Sequence, residues 1–278
     1  MSKINYGLIV SDFDGTLLTT KQTVPEEVKK AISEYVSAGG IFAVCTGRML
    51  ASILPQVRAL GLKGLVAAYQ GTVIADIESG RLLRCGGFSV DDACYVCTVL
   101  EERGEPINVY ADNIMYTTLP ADDKLLNMYE RITGITARHF DGKMSDFVRA
   151  NGLYCQKIVS VVGPERKQPL YEYLKEIMGD RFEVTYSAAV LVEVSPKGDD
   201  KGMALKFLAD HYNIPREKTV AVGDNLNDLP MIREAAVGVA VANAVDEFRA
   251  HADDVCPSCD DGGVACVIRK YGLSLYYV

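Results

Sequence analysis

Two carboxylates stand two residues apart in Ser11-Asp12-Phe13-Asp14-Gly15-Thr16, directly after the apolar run Leu8-Ile9-Val10. A carboxylate can attack phosphorus once its own charge and that of the phosphate are offset by a cation. A second carboxyl nearby can move protons if its pKa is raised. Gly15 lets the backbone turn sharply or approach closely. The same segment also reads as a plain strand-ending turn, since Asp and Gly are ordinary turn residues. Thr46-Gly47-Arg48 follows a second apolar run, where a hydroxyl and adjacent backbone N–H groups can hold phosphate oxygens. Arg48 suits a structural ion pair as well as a substrate contact. Lys201 opens a helical pattern in Pro196-Lys197-Gly198-Asp199-Asp200-Lys201-Gly202. A helix N-terminus disfavours a cation, and a bound anion would resolve that misfit; Lys197 is the local competitor. Gly223-Asp224-Asn225-Leu226-Asn227-Asp228 again gathers carboxylates and amides past an apolar run. Mg2+ prefers such oxygen ligands and keeps several waters. The other reading of that segment is an Asx-rich turn with a helix cap.

These groups act together only if the fold collects them. Leu8-Ile9-Val10, Ile41 to Cys45, Leu65 to Ala68, Val220 to Val222 and Val237 to Val241 read as buried parallel strands, with helical patterns between them. Val24, Val28, Ala31, Ile32, Tyr35 and Val36 fall on one helix face. Thr23 with Glu26 resembles a capping box at its start, and Gly39-Gly40 ends it. Met203, Leu205, Phe207 and Leu208 mark another helix, broken before Pro215. Strands alternating with helices imply an α/β fold, a Rossmann-like doubly wound parallel sheet whose ligands bind beyond the carboxyl ends of the strands. Each polar cluster follows a strand or opens a helix, so one sheet edge would gather all four. The rhythm changes between Leu82 and Ala189. Asn108 to Tyr116, Gln156 to Val162 and Phe182 to Tyr186 look like half-buried antiparallel strands, with helices such as Asp91 to Glu102 and Pro169 to Met178 among them. The expected organisation is a core of residues 1–81 and 190–278 with an inserted α+β cap domain of residues 82–189.

A length of 278 residues accommodates two domains. A formal charge of -8 argues against nucleic-acid or anionic-membrane surfaces, which need clustered Lys and Arg. It also means that any phosphate site must be locally positive or contain a metal. No secretory signal or 18-residue apolar span is visible, so the expected location is cytoplasmic. The eight Cys are then expected as thiols. Cys94/Cys97 and Cys256/Cys259 have zinc-like spacing but lie far apart, and Cys94 and Cys97 sit in a helical apolar pattern where Cys packs as a small hydrophobe.

Asp12-Phe13-Asp14-Gly15-Thr16, Thr46-Gly47-Arg48, Lys201, and Gly223-Asp224 with Asn227-Asp228 resemble the four motifs of the haloacid dehalogenase superfamily of phosphohydrolases. Lys201-Gly202-Met203-Ala204-Leu205, Asn227-Asp228-Leu229-Pro230-Met231 and Asn243-Ala244 are similar to its Cof-type sugar-phosphatase branch, as is the tail from Ala252 to Ala265. The resemblance implies Asp12 as nucleophile through an aspartyl-phosphate and Asp14 as general acid/base. Mg2+ would be held by the Asp12 side chain, the Asp14 main-chain carbonyl and Asp224. Phosphate would contact the Phe13 and Gly47 backbone, Thr46, Lys201 and Asn227, with Asp228 supporting the metal or Lys201. The implied activity is hydrolysis of small, sugar-phosphate-like metabolites by a monomer or weak homo-oligomer, the cap selecting the substrate. A phosphomutase or a phospho-acceptor signalling protein are the alternatives. Tyr69-Gln70-Gly71 departs from the branch, which commonly has Asn-Gly there, and Gly262-Gly263 stands where a single Gly is usual.

Overall fold

The computed structural model describes residues 3–187 and 190–274; residues 1, 2, 188, 189 and 275–278 of the expected domains lie outside these. An eight-stranded sheet runs in the order Asp254–Cys256, Val237–Val241, Thr219–Gly223, Leu8–Ser11, Ile41–Cys45, Leu65–Ala68, Val73–Asp76, Leu82–Cys85. The first six strands are mutually parallel, and the last two are added through antiparallel pairings. The parallel strands are apolar on both faces because helices cover both, and Leu8–Ser11 is buried throughout. The doubly wound α/β core is therefore as expected, extended by an antiparallel edge.

The helix Glu26–Ser37 buries Val28, Ala31, Ile32 and Tyr35, the face its periodicity marks. Its start differs from expectation. Pro25 occupies the cap position and no side chain caps the helix. A residue before proline is pushed to extended backbone, which carries Thr23 out of capping reach; its hydroxyl pairs with that of Thr19 at 3.0 Å instead.

A second sheet of six strands runs in the order Phe182–Ser187, Leu191–Pro196, Cys155–Val161, Asn108–Ala111, Ile114–Thr117, Arg138–His139, antiparallel except for its last pair. Helices Val90–Glu102, Met144–Asn151 and Pro164–Met178 share an apolar core with it that includes Cys94, Cys97, Val148, Leu170 and Leu174. Tyr110, Met115, Val159, Val161 and Leu191 join the apolar cluster of the large sheet instead.

Sheet membership corrects the expected boundaries. Leu82–Cys85, placed in the insertion from sequence, pairs with the large sheet, and Leu191–Pro196, placed in the core, pairs within the second sheet. Each pairs with the strand just before it, Leu82–Cys85 with Val73–Asp76 and Leu191–Pro196 with Phe182–Ser187, so a boundary drawn between the two arms of such a hairpin puts one arm in the wrong unit. The chain crosses between the sheets near residues 86 and 197, and an ion pair between Arg84 and Asp199 joins the two crossings.

Candidate active site

The strand Leu8–Ser11 lies at the middle of the large sheet, and its carboxyl end delivers Asp12. The backbone N–H of Asp12 donates to the Val222 carbonyl at 2.9 Å, continuing the ladder to the neighbouring strand. Leu17 and Leu18 N–H groups then turn back onto the Phe13 carbonyl. Gly15 has φ +79°, and a Cβ there would stand 2.8 Å from Asp224 Oδ2, so both backbone conformation and space require glycine. The next residue, Thr16, donates its hydroxyl to Asp224 Oδ1 at 2.9 Å. The first and fourth motifs are thus locked together.

Lys201 is the first residue of the helix Lys201–His211, which Asp200 caps by accepting from Met203 N–H at 2.8 Å. Its ammonium is fully buried and donates to Asp12 Oδ1 and Asp228 Oδ1, both at 2.5 Å. The cation at a helix start is explained by these two carboxylates. Lys197 lies apart, donating to the Gly179 carbonyl at 2.8 Å beside Glu183. Asp228 uses its other oxygen to accept from the backbone N–H groups of Asp224 and Asn225, at 2.9 and 3.1 Å. That capping interaction fixes the loop on which Asp224 is carried.

Asp12, Asp224 and Asp228 bring one carboxylate oxygen each within 4.8 Å of one another. Three carboxylates face one ammonium, and electrostatics respond accordingly. Burial raises the Asp12 pKa well above the usual carboxylate range; Lys201 opposes this, while Asp228 and Asp224 add to it. Burial and then the Asp228 charge push Asp224 up to about 6. Burial works against the Lys201 ammonium, but Asp12 and Asp228 more than offset it and hold its pKa above the ordinary value. Crowded, oxygen-only donors with excess negative charge fit a hard divalent cation such as Mg2+. Both Asp228 oxygens are already engaged, which leaves Asp12 and Asp224 as the side-chain donors.

Thr46 and Gly47 lie at the end of the adjacent strand Ile41–Cys45. Their loop is held by Tyr69 N–H to the Arg48 carbonyl and Gln70 N–H to the Thr46 carbonyl, both at 2.9 Å. Arg48 resolves as an ion-pair former: its guanidinium grips Asp14 with two hydrogen bonds of 2.7 and 2.6 Å and lies over the Phe13 ring. The Asp14 side chain therefore faces Arg48 and is 43% exposed.

Gln70, a departure noted in the sequence, takes a larger part than sequence reasoning gave it. It is buried with φ +60°, a conformation that costs a non-glycine residue about 1–3 kcal/mol. Its Oε1 accepts from Asn227 Nδ2 at 3.2 Å. Its Nε2 has no hydrogen-bond partner and would stand 2.7 Å from a Cβ at position 47. Gln70 thus ties the two loops, its backbone N–H holding the Thr46–Gly47 loop and its carboxamide oxygen the Asn227 loop, and glycine at 47 leaves room for its side chain.

A cavity of about 480 Å³ opens above these groups. Asp12, Thr46 and Asp224 line its floor, and Tyr129, Lys157 and Glu193 reach it from the second sheet and its flanking helix. Sequence reasoning did not find Lys157 and Glu193. They are isolated charges in apolar strands, and only the antiparallel pairing of those strands brings them together. Of the residues the sequence singled out, Asp12, Asp14, Thr46, Gly47, Lys201, Asp224, Asn227 and Asp228 converge at one sheet edge, with Phe13 between the two aspartates of its loop. The two Cys-x-x-Cys pairs play no part there. Cys94, Cys97, Cys256 and Cys259 are buried thiols, and Cys94 donates to the Ser145 carbonyl.

The family described as haloacid dehalogenase-like hydrolase matches residues 9–268. The phosphatase YwpJ of Bacillus subtilis (strain 168) is 30% identical over 284 residues, covering 94% of this chain and 98% of that protein. The 5-amino-6-(5-phospho-D-ribitylamino)uracil phosphatase YwtE of the same organism is 27% identical, covering 94% and 96%. A solved haloacid dehalogenase-like hydrolase structure from B. subtilis superposes with a TM-score of 0.84 at 27% identity, covering 95% of this chain and 99% of that one.

Proposed function

The chain belongs to the haloacid dehalogenase-like hydrolases, as a phosphatase of the Cof type, and from that premise we propose that it hydrolyses small phosphate monoesters through an Mg2+-dependent aspartyl-phosphate on Asp12. The observation that carries this reading is the placement of Asp12. It sits at the floor of a cavity, between a buried ammonium on one side and a second carboxylate on the other. When bound by the Asp12 and Asp224 side chains and the Asp14 carbonyl, Mg2+ would supply positive charge to offset the nucleophile and the phosphoryl oxygens.

The chain's own groups do the rest. Asp12 Oδ attacks phosphorus in line, and the P–O bond to the leaving alcohol breaks. Asp14 gives that alkoxide its proton, then takes a proton from the water that attacks the aspartyl-phosphate and restores Asp12. The acid role requires Asp14 to turn from Arg48 toward the leaving oxygen, and its half-exposed position supports such movement. Lys201 balances charge on Asp12 and the transferring group, with Asp228 fixing its ammonium. Thr46, the backbone N–H groups of Phe13 and Gly47, and Asn227 hold the phosphoryl oxygens. Catalysis of this kind is mainly positioning and charge stabilisation. The substrate is a small phosphorylated metabolite, as for the relative named for a ribitylamino phosphate, and the cytoplasm is the proposed location of a monomer or weak homo-oligomer. No helix among the described residues is long and apolar enough to cross a membrane.

The test is acid quench of the enzyme with a phosphorylated substrate and Mg2+, followed by detection of acid-stable, base-labile phosphate on the protein. Wild type is expected to carry it on Asp12 and Asp12→Asn to carry none. Full turnover by Asp12→Asn, or by enzyme exhaustively stripped with EDTA, would overturn the reading.

A further inference from the structure

Asn243 stands outside the four motifs, on the loop after the strand Val237–Val241, and takes no part in the phosphoryl chemistry above. Its carboxamide nevertheless spans two parts of the chain. Nδ2 donates to the Gly15 carbonyl at 2.8 Å, and Oδ1 accepts from the Cys259 N–H at 2.8 Å. Both partners are main-chain groups, one able only to accept and the other only to donate. They therefore fix which end of the carboxamide faces which. Two residues on, the Val245 N–H donates to the Asp224 carbonyl at 3.0 Å. One short loop thus holds Gly15 with a side chain and Asp224 with its backbone.

These are the carriers of the proposed metal donors. Gly15 follows Asp14, whose carbonyl is the main-chain ligand in the reading above, and Asp224 offers a carboxylate. Position 15 must be glycine, since φ is +79° and a Cβ would stand 2.8 Å from Asp224 Oδ2. Glycine is also the residue with most backbone freedom, so the Asp14–Gly15 link keeps its place only if something outside holds it. Thr16 provides one hold through its hydroxyl on Asp224 Oδ1. Asn243 provides the other, directly on Gly15.

The far end of the brace is anchored. Cys259 is buried and opens the short helical turn Cys259–Asp261. Asn243 itself is exposed, where a hydrogen bond to the backbone competes with water and adds modestly to folding. Its placement matters more to the loop it grips. Groups that hydrogen-bond the carriers of metal ligands, without touching the ion, change affinity about 10–100-fold when removed.

Resting on the Mg2+-dependent reading above, we propose that Asn243 is a positioning residue for the metal: tied to the Cys259 backbone, it fixes Gly15 and with it the Asp14 carbonyl, and so sets the Mg2+ affinity of the site without touching ion or substrate.

Isothermal titration calorimetry of EDTA-stripped protein with Mg2+ alone tests this, at a temperature where circular dichroism shows the stripped protein folded. Asn243→Ala is expected to raise the Kd at least ~10-fold. Thr20→Val removes hydroxyl bonds to Asp260 in the same tail turn but leaves Gly15 held, and its Kd should equal that of wild type. If Asn243→Ala is not folded without metal, Asn243→Asp decides. Its carboxylate still accepts from the Cys259 N–H and loses only the donation to Gly15. Measured beside wild type in ~0.5 M KCl, where a Debye length of about 4 Å screens the added charge, it should show the same rise. An unchanged Kd in the folded variant, or an equal rise in Thr20→Val, would overturn the assignment and leave the Mg2+ reading intact. No Mg2+ binding by wild type would remove both.

Discussion

Asp224 allows a test of the metal site that needs no substrate. In the protein stripped of divalent cations its carboxyl titrates near 6, against an ordinary value of 3.8, because it is buried beside Asp228. Between these values the folded protein holds a proton that the unfolded chain has released. The folded state is therefore favoured below about pH 4 and loses that advantage as pH rises to about 6. At about 1.36 kcal/mol per pH unit, the ionised carboxylate costs the stripped protein about 3 kcal/mol at neutral pH. Asp224→Asn cannot ionise, yet its Oδ1 can still accept from Thr16. In EDTA the variant should match wild type near pH 4 and exceed it by up to about 3 kcal/mol at pH 7.5. For a chain this long that is about 5 °C in Tm. Adding Mg2+ should reverse the order at pH 7.5, since the charge that destabilises the stripped protein is the one that would bind the ion. Differential scanning calorimetry of both proteins at pH 4, 6 and 7.5, with EDTA and with Mg2+, provides every comparison. The reasoning fails if Asp224→Asn in EDTA is no more stable than wild type at pH 7.5, or if Mg2+ stabilises both equally.

Three further outcomes are expected. Lys201→Ala should lose at least ~10²-fold in kcat, on the scale of other lost charge partners of a transition state, while Lys197→Ala stays within a few-fold; steady-state kinetics with Mg2+ compare them. Asp14→Asn should lose ~10²–10⁴-fold with an alkyl phosphate, whose alkoxide needs a proton. With p-nitrophenyl phosphate it should give a burst of nitrophenol in rapid quench and accumulate phosphoenzyme, because the water that must attack the aspartyl-phosphate still lacks its base. Replacing residues 87–196 by a short linker should give a folded protein that hydrolyses p-nitrophenyl phosphate without selectivity among metabolites. Removing residues 82–189 should instead give aggregates in size-exclusion chromatography, since it deletes an edge strand of the large sheet and strands Leu191–Pro196 without partners.

The parallel strands were legible because burial on both faces writes them as short apolar runs, and Leu8 to Val10, Ile41 to Cys45 and Leu65 to Ala68 each stand where those runs are. The motif residues were legible because a parallel sheet turns strand ends into a shared edge, so Asp12, Thr46 and Asp224 needed only to follow a strand to meet. What escaped depends on which strands pair, which no single run records. Leu82–Cys85 and Leu191–Pro196 have little of their own to say which sheet they join. The Arg48 grip on Asp14 was one of two readings the sequence left open, and geometry alone separates them. Lys157 and Glu193 look like surface charges until their strands are aligned, and Thr23 looked like a cap until the proline after it set the backbone.

The position of the strand that delivers Asp12 also bears on how the protein comes into being. Leu8–Ser11 is made almost first, but one of its two neighbours, Thr219–Gly223, begins 208 residues after Ser11. Until then that strand edge has no partner, and such a long-range pairing is slow to form because its loop entropy must be met first. Asp12 likewise waits for Lys201 and Asp224, which come from the last third of the chain. A ribosome-bound chain ending before residue 200 holds Asp12 and Asp14, and neither the ammonium of Lys201 nor the carboxylates of Asp224 and Asp228 that surround Asp12 in the finished fold.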